Sequence, residues 1–181
     1  MPKPMIAKIL PVLAAIMVAA FGITLAHAQA TNRGASGLPL PRFVSLKASK
    51  VNMRVGPGLD YAIAWRYTRA GVPMEIIQEY DNWRKVRDAE GAEGWINQAL
   101  LSGERTAIAA PWMRDRPEAE AYILVYGEKD ARSPVLAKLA PGVVVRIQGC
   151  DGTWCESSVD GITGWVSQQE LWGAYPGEAF R

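Results

Sequence analysis

Two cysteines are the side chains of this 181-residue sequence best suited to covalent chemistry. Cys150 and Cys155 flank four residues, and on a tight hairpin such positions face each other across the strand ladder and can meet disulfide geometry. In an exported chain we therefore expect a disulfide. The alternative is a reduced Cys-x4-Cys pair, either buried or bound to metal. Two thiols without a histidine make a poor zinc site, and the spacing is not that of redox motifs.

Histidine chemistry is almost absent from the sequence. His27 is the only histidine and lies within the first thirty residues, so a chain that lost this segment would have none. Ser-His catalysis, Cys-His catalysis and histidine-based metal sites would then be excluded. Two carboxylates could still act as acid and base, but no acidic pair lies in a recognisable catalytic context. We therefore predict a protein without enzymatic activity, metal or cofactor.

The first thirty residues follow the order of a secretory signal peptide. Lys3 and Lys8 form a basic start, residues 9–25 are almost entirely apolar, and Ala26-His27-Ala28 and Ala28-Gln29-Ala30 are small-x-small cleavage sites. The alternative is an uncleaved membrane anchor, because the apolar run is just long enough to span a bilayer. We predict a periplasmic or secreted protein that touches the membrane only through the leader, if the leader is uncleaved.

Removal of the leader changes the net charge. The full sequence has 20 Lys and Arg against 18 Asp and Glu, and 20 − 2 = 18 basic residues remain without Lys3 and Lys8. A neutral chain lacks the basic surface that phosphate backbones require. Nucleic acid is therefore not an expected partner.

The elements that would position functional side chains occur twice. The corresponding anchors are Gly71 and Gly142, Trp83 and Trp154, and Gly94-Trp95-Ile96 and Gly164-Trp165-Val166. The spacing from the first glycine to the first tryptophan is twelve residues in both copies. Alternating apolar residues follow each glycine, which is typical of a half-buried strand. The constant spacing predicts one β-rich unit present in two copies.

The opening of the first copy carries a family resemblance. Val51-Asn52-Met53-Arg54-Val55-Gly56-Pro57-Gly58, followed by Tyr61 and later by Gly94-Trp95-Ile96, resembles the opening motif of bacterial SH3-like domains. These domains are small β-barrels common in cell-envelope proteins. Cys150-Asp151-Gly152-Thr153-Trp154-Cys155, with residues 171–178, is similar to a subgroup of exported proteobacterial members. The resemblance implies an all-β fold with two tandem SH3-like barrels after the signal peptide.

The expected domain boundaries follow from composition and from the repeat. They are a signal peptide at 1–30, a flexible tether at 31–41, a first SH3-like domain at 42–103, a linker or added strand at 104–119, a second SH3-like domain at 120–175 and a C-terminal tail at 176–181. Each barrel alone is small and would be marginally stable, so we expect a joint interface between them.

The resemblance also indicates where a ligand would bind. It places Asn52, Arg54 and Tyr61 beside the long loop that lines the family's ligand groove. The complete candidate ligand-facing set is Asn52, Arg54, Tyr61, Tyr80, Asn82 and Trp83. In the alternative, Arg54 is structural and its guanidinium bonds loop carbonyls. The second copy lacks the arginine and the Gly-Pro-Gly turn, so the resemblance does not imply the same site there.

Four of the seven tryptophans have a predicted location. Trp95 and Trp165 occupy equivalent positions, and we expect them to fill the two cores because small barrels have few large residues. Trp65 and Trp112 have no counterpart in the other copy, so we expect them at the surface.

These observations predict a non-catalytic exported binding module of the cell envelope. The expected partner is peptidoglycan, through its stem peptides, recognised in an aromatic-lined groove. One alternative is a structural or adaptor protein that binds an envelope protein by strand addition or through a Pro-rich ligand. A more remote one is an enzyme that cleaves cell-wall glycans with carboxylates alone.

Overall fold

The computed structural model describes residues 32–117 and 121–181, which form an all-β structure. The predicted signal peptide lies outside the described residues. The helical segments within the described ranges are single 3-10 turns at Gln98–Leu100, Pro111–Met113 and Gln168–Glu170. Within the same ranges, no helix has the length and apolar character that crossing a membrane requires.

The first half of the chain forms a curled sheet preceded by a short ribbon. Its strands are β1 (Asn32–Arg33), β2 (Pro39–Leu40), β3 (Arg42–Leu46), β4 (Val51–Arg54), β5 (Ile63–Tyr67), β6 (Pro73–Tyr80), β7 (Trp83–Arg87), β8 (Glu93–Asn97) and β9 (Leu101–Ser102). The ribbon pairs β1 with β2, and the sheet has the order β5-β4-β8-β7-β6-β3-β9. All of these pairings are antiparallel. Short connections between successive strands, as between β6 and β7, permit only this direction.

The second half repeats this arrangement. Its strands are β10 (Thr106–Ala109), β11 (Ile123–Tyr126), β12 (Val135–Leu139), β13 (Val144–Asp151), β14 (Trp154–Val159), β15 (Ile162–Ser167), β16 (Leu171–Trp172) and β17 (Ala179–Phe180). The order is β12-β11-β15-β14-β13-β10-β16, with β17 paired to β13. We call the two sheets with their cores the first and second barrels.

The strand registers of the two barrels also correspond. The β6–β7 ladder shifts between Ile76 and Gln78, and the β13–β14 ladder shifts between Ile147 and Gly149. Each shift inserts one extra residue, which bends the strand and increases its twist. The repeat seen in the sequence is therefore a repeat of register and curvature.

Each barrel has its own apolar core. The first core consists of Leu46, Val51, Met53, Met74, Ile76, Val86 and Ile96. In the second, buried residues include Ile123, Val125, Val145, Ile147 and Val166 at the corresponding strand positions. Successive residues of a strand point to opposite faces, so these alternating residues form the inner layer.

The prediction that Trp95 and Trp165 fill the cores is wrong. Both tryptophans are only partly buried, whereas the next residue in each strand, Ile96 or Val166, is fully buried. The preceding glycines face inward too, because an added Cβ at Gly94 would lie 2.5 Å from Met53 Cγ. With both neighbours facing inward, each tryptophan must face outward.

The segment expected to be a flexible tether is ordered in the structure. Residues 32–40 form the β1–β2 ribbon, and Ser36 donates from its backbone nitrogen (2.7 Å) and its hydroxyl (2.7 Å) to the carboxylate of Glu79. A buried carboxylate on β6 thus provides acceptors that attach the segment to the first barrel.

One boundary of the second barrel follows a stated alternative and the other differs from the expectation. Thr106–Ala109 lies in the segment predicted as a linker or an added strand, and it is an added strand, β10, which pairs with β13 and β16. The predicted C-terminal tail contains β17, which pairs Phe180 with Cys150. Both segments belong to the second sheet because they complete the hydrogen bonding of β13.

Aromatic side chains join the two barrels. Phe43 of β3 meets Trp172 edge-on at 5.0 Å between ring centroids and Tyr175 at 4.7 Å. The Tyr175 hydroxyl donates to Glu75 Oε1 at 3.0 Å. The guanidinium of Arg105, in the connecting segment, lies 5.9 Å from the Phe43 ring centroid. The described residues accordingly form one compact unit.

Candidate functional site

Arg54 organises the Gly-Pro-Gly loop of the first barrel. It ends β4, and its Nη1 donates to the carbonyl oxygens of Leu59 (2.9 Å) and Tyr61 (2.6 Å). A cationic donor that bonds two loop carbonyls fixes the path of residues 55–61. Arg54 therefore has the structural role that the sequence left open, and it shapes the candidate site.

Tyr61 lies on the loop that Arg54 holds. Its ring packs on the backbone of Gly56, at a position where any Cβ would collide with the ring. The side chain remains 48% exposed. The glycine therefore lets the ring lie flat on the loop, with its other face free to contact a ligand.

Tyr80 and Trp95 form the aromatic centre of the surface. Tyr80, the last residue of β6, is 60% exposed, and its ring meets the Trp95 ring edge-on at 6.5 Å between centroids. Trp95 in turn pairs with Arg54 across the β4–β8 ladder. Trp95 thus links the Arg54 loop to Tyr80. The alternation of Gly94, Trp95 and Ile96 is the sequence signal that could have identified it as an outward-facing residue.

The other three predicted residues support this surface from its edges. Asn52 Oδ1 accepts from Arg66 Nε at 3.2 Å, and Asn82 Oδ1 accepts from Gln98 Nε2 at 2.7 Å. Trp83 pairs with Tyr80 where β6 meets β7, but only 9% of it is exposed. Its ring therefore has little surface left for a ligand.

Exposed apolar side chains are concentrated around the same loop. Val55, Leu59 and Ile63 are all exposed, in addition to Tyr61. Groups of exposed apolar residues on a soluble domain often mark interaction sites. We call Arg54, Tyr61, Tyr80 and Trp95, together with these apolar neighbours, the Trp95 surface.

A buried ion-pair network supports the strand that carries Tyr80. The Glu79 carboxylate bonds Arg42 Nη2 at 2.7 Å and lies 3.4 Å from Arg84 Nε. Burial alone would raise the pKa of Glu79. The hydrogen bonds from Ser36 and Arg42 outweigh burial and lower this pKa to about 2. Glu79 is thus ionised and holds the end of β6 against the β1–β2 ribbon.

The second barrel does not reproduce the Trp95 surface. Tyr126 pairs with Trp165 as Arg54 pairs with Trp95, so an aromatic ring stands where the first barrel has the loop-binding guanidinium. The expected disulfide between Cys150 and Cys155 is confirmed, with an S–S distance of 1.98 Å. These cysteines pair across β13 and β14 as Glu79 and Arg84 pair across β6 and β7.

Within residues 32–117 and 121–181, no group of three or more His, Cys, Asp or Glu side chains is placed to hold a metal ion. Binding through aromatic and polar contacts is the chemistry that these residues support.

Two regions of the chain match the model of a known domain family. The bacterial SH3 domain model matches residues 47–103 and 119–173, which together make up more than half of the chain. The chain belongs to the bacterial SH3 domain family. The predicted tandem pair of bacterial SH3 domains is thereby confirmed, as is the all-β fold. Bacterial SH3 domains are generally non-catalytic binding modules.

Comparisons with individual proteins add little. No curated protein matches the chain. Similar solved structures include NlpC2 from Trichomonas vaginalis, at 14% identity and a TM-score of 0.31 over 73% of this chain. NlpC1 from the same organism has 14% identity and a TM-score of 0.31 over 77% of this chain. The chain spans 48% of the length of each. Similarity at this level carries no functional argument.

Proposed function

We propose that this tandem bacterial SH3 protein is a non-catalytic binding module of the cell envelope that recognises peptidoglycan through its stem peptides. The observation that carries the proposal is the Trp95 surface, where the exposed ring of Tyr80 and the partly buried ring of Trp95 adjoin a loop held by Arg54. Aromatic rings on an ordered surface provide contact area at a low cost in conformational entropy. Stem peptides are short and present small side chains and many amide groups, which such a surface can contact.

The proposed location is the periplasm or the extracellular space. It is supported by the basic, apolar and small-residue order of the first thirty residues. The disulfide is a second supporting feature, because disulfides persist mainly in oxidising compartments.

Co-sedimentation with insoluble peptidoglycan tests the proposal. The protein without residues 1–30 is compared with Tyr80→Ala and with Trp95→Ala, and Trp112→Ala is the matched control. Trp112 is 58% exposed, close to the 60% of Tyr80, but it lies in the 3-10 turn after β10. Denaturation midpoints establish that each variant is folded.

We expect the protein and the Trp112→Ala variant to sediment with the wall, and the two Trp95-surface variants to lose at least tenfold in affinity. Equal sedimentation of all folded variants would reject the Trp95 surface as the site. No sedimentation of the unmodified protein would reject peptidoglycan as the ligand.

An adaptor that binds an envelope protein is the second candidate function. The specific observation is that β5 is the end strand of the first sheet and that Ile63 and Trp65 on it are exposed. The free backbone groups of an edge strand can pair with an extended segment of a partner. Crosslinking from position 65 in cells would yield a discrete protein adduct if this function is correct, and no adduct if the wall is the only ligand.

A further inference from the structure

A concave site lies on the outer face of the second barrel, and none of its lining residues belongs to the Trp95 surface. Its volume is about 470 Å³, and we call it the Trp165 cleft. The side chains that give it its chemistry are Lys129, Asp151, Glu156, Trp165, Phe180 and Arg181. Trp165 and Glu156 are cross-strand neighbours on β15 and β14.

The ammonium group of Lys129 occupies the centre of this arrangement. Its Nζ lies 4.4 Å from the centroid of the Trp165 ring and 2.8 Å from Asp151 Oδ2. A cation over an indole face is attracted by the ring quadrupole, and a carboxylate on the other side adds a charge-assisted hydrogen bond. An aromatic face together with a carboxylate is a suitable environment for an organic ammonium ion.

The carboxylate of this site is fixed by the turn that carries it. Asp151 Oδ1 accepts from the backbone nitrogens of Thr153 (3.0 Å) and Trp154 (2.8 Å). The Lys129 hydrogen bond, followed by these two backbone hydrogen bonds, lowers the pKa of Asp151 to about 2. The adjacent Cys150–Cys155 disulfide connects the two strands at the base of the same turn. Asp151 is thus oriented before any ligand arrives.

The charges of the cleft balance only while Lys129 stays in it. Lys129 and Arg181 face Asp151 and Glu156. Within the described part of the chain, Glu156 has no ion-pair partner, whereas Asp151 is paired with Lys129. Departure of the Lys129 ammonium would leave two carboxylates and one guanidinium, a net charge of −1. The empty cleft would therefore favour a cation in place of Lys129.

The first barrel offers no such site at the equivalent position. Tyr80 takes the place of Asp151 at the end of the strand, and Lys85 takes the place of Glu156 opposite the tryptophan. Lys85 is paired with Glu93 at 2.8 Å. The two barrels therefore present the same tryptophan with different neighbouring charges.

We propose that the Trp165 cleft binds a primary alkylammonium group, such as the side chain of a lysine-like residue in a peptide, and that Lys129 holds this site in the unliganded protein. The primary ammonium of Lys129 is itself the group seen in the site, where it donates an N–H to Asp151, and a quaternary ammonium has no N–H to donate. The Lys129 side chain is 45% exposed, so it can move into solvent when a ligand replaces it. The inference goes beyond wall binding at the Trp95 surface and does not depend on it.

The test uses the full chain and follows the indole N–H resonance of Trp165, assigned from its loss in Trp165→Phe. The probe is Nα-acetyl-lysine methylamide, and the control compound is Nα-acetyl-norleucine methylamide, which lacks the ammonium group. The Lys129→Ala variant removes the side chain that occupies the Trp165 cleft. Its matched control is Lys138→Ala, which removes another cation–π lysine of the same barrel, 5.6 Å from the Tyr122 ring centroid.

We expect Lys129→Ala to bind the lysine probe at least tenfold more tightly than the unmodified protein, because a tethered competitor has been removed. Lys138→Ala should bind like the unmodified protein, and norleucine should not shift the Trp165 resonance. Adding Asp151→Asn to Lys129→Ala should abolish the gain, since asparagine keeps an oxygen for the turn but loses the charge. Equal affinity of Lys129→Ala and the unmodified protein, or equal shifts from both compounds, would overturn the proposal.

Discussion

At the scale of single residues, Arg54 shows how a charged side chain can shape a surface by holding a loop in place. It stands between a strand and a loop, and it replaces water as the donor to two loop carbonyls. A group that orders a loop before binding reduces the conformational entropy that the loop loses when a ligand binds. The equivalent residue of the second barrel, Tyr126, meets Trp154 edge-on instead, at 5.6 Å between centroids.

Substitution of Arg54 by alanine should loosen the loop more than it lowers overall stability. We expect a loss of about 1 kcal/mol, typical of a lost hydrogen-bonding group, and faster amide hydrogen exchange in residues 55–62. Arg66→Ala is the control, because Arg66 lies on the neighbouring β5 and, among the described residues, its side chain hydrogen-bonds the Asn52 side chain and no carbonyl of the loop. Unchanged exchange in residues 55–62 of Arg54→Ala would contradict the assigned role.

The orientation of Trp95 was within reach of the sequence, whereas the role of Arg54 was not. Successive residues of a strand point to opposite faces, so an inward-facing Ile96 alone places Trp95 on the outer face. The prediction that Trp95 lies in the core relied on the large size of its side chain and neglected the alternation of inward and outward residues along the strand. From the sequence, Arg54 could equally contact a ligand or bond loop carbonyls. The structural role became evident only from the positions of the Leu59 and Tyr61 carbonyl oxygens.

At the scale of elements, the two barrels hold the same hairpin by different chemistry. Glu79 and Arg84 form an ion pair across β6 and β7, and Cys150 and Cys155 form a disulfide across β13 and β14. A disulfide that closes so short a loop contributes about 2 kcal/mol in the chain-entropy model. The ion pair belongs to a larger network that also holds the β1–β2 ribbon.

The Glu79 network should make the stability of the first barrel depend on pH. The folded pKa of about 2 lies below the ordinary value of 4.5, so the contribution is complete above about pH 4.5 and disappears as the pH falls toward 2. From this difference in pKa we expect Glu79→Gln to lower the free energy of unfolding by roughly 3 kcal/mol at pH 7.

Urea denaturation at pH 7, 4.5 and 3 checks this dependence. The difference in the free energy of unfolding between the unmodified protein and Glu79→Gln should become smaller as the pH falls. Protonation of Glu79 removes the same negative charge that the substitution removes. Glu93→Gln is the control, since Glu93 pairs with Lys85 and Arg87 on the barrel surface and surface pairs contribute little. A gap that stays constant from pH 7 to 3 would show that the Glu79 charge does not stabilise the fold.

The sequence predicted the hairpins but not what attaches the ribbon to them. Turn glycines and strand alternation are local patterns, so the repeat and the disulfide hairpin could be identified directly. The hydrogen bonds from Ser36 to Glu79 join residues 43 positions apart. Neither residue type is unusual in its own segment, and the ribbon therefore resembled a tether.

At the scale of the whole molecule, the two barrels share an aromatic interface. Phe43 belongs to β3 of the first barrel, and Trp172 and Tyr175 belong to the end of the second. Arg105 bridges this region, since it pairs with Glu178 at 2.9 Å and its guanidinium lies 4.0 Å from the Phe180 ring centroid. Small domains bury a limited fraction of their surface, so a shared interface adds stability to both.

A double-mutant cycle measures this coupling. We expect Phe43→Leu and Trp172→Leu each to lower the free energy of unfolding, and the double variant to lose about 0.5–1.5 kcal/mol less than the sum. Chemical denaturation of the four proteins provides the values. The matched pair Phe43→Leu with Val166→Ala combines Phe43 with a core residue of the second barrel and should be additive. Additivity of the Phe43 and Trp172 changes would mean that the rings do not stabilise each other.

The two sides of the shared interface are synthesised at different times. The ribosome synthesises Phe43 long before Trp172 and Tyr175, so the first barrel can assemble while the rings that cover Phe43 have not yet been made. Domains generally fold as units, the N-terminal one first, and surface that awaits a later partner is open to aggregation. A chain whose first barrel closes before Trp172 and Tyr175 are in place would therefore display Phe43 without the two rings that contact it in the complete structure.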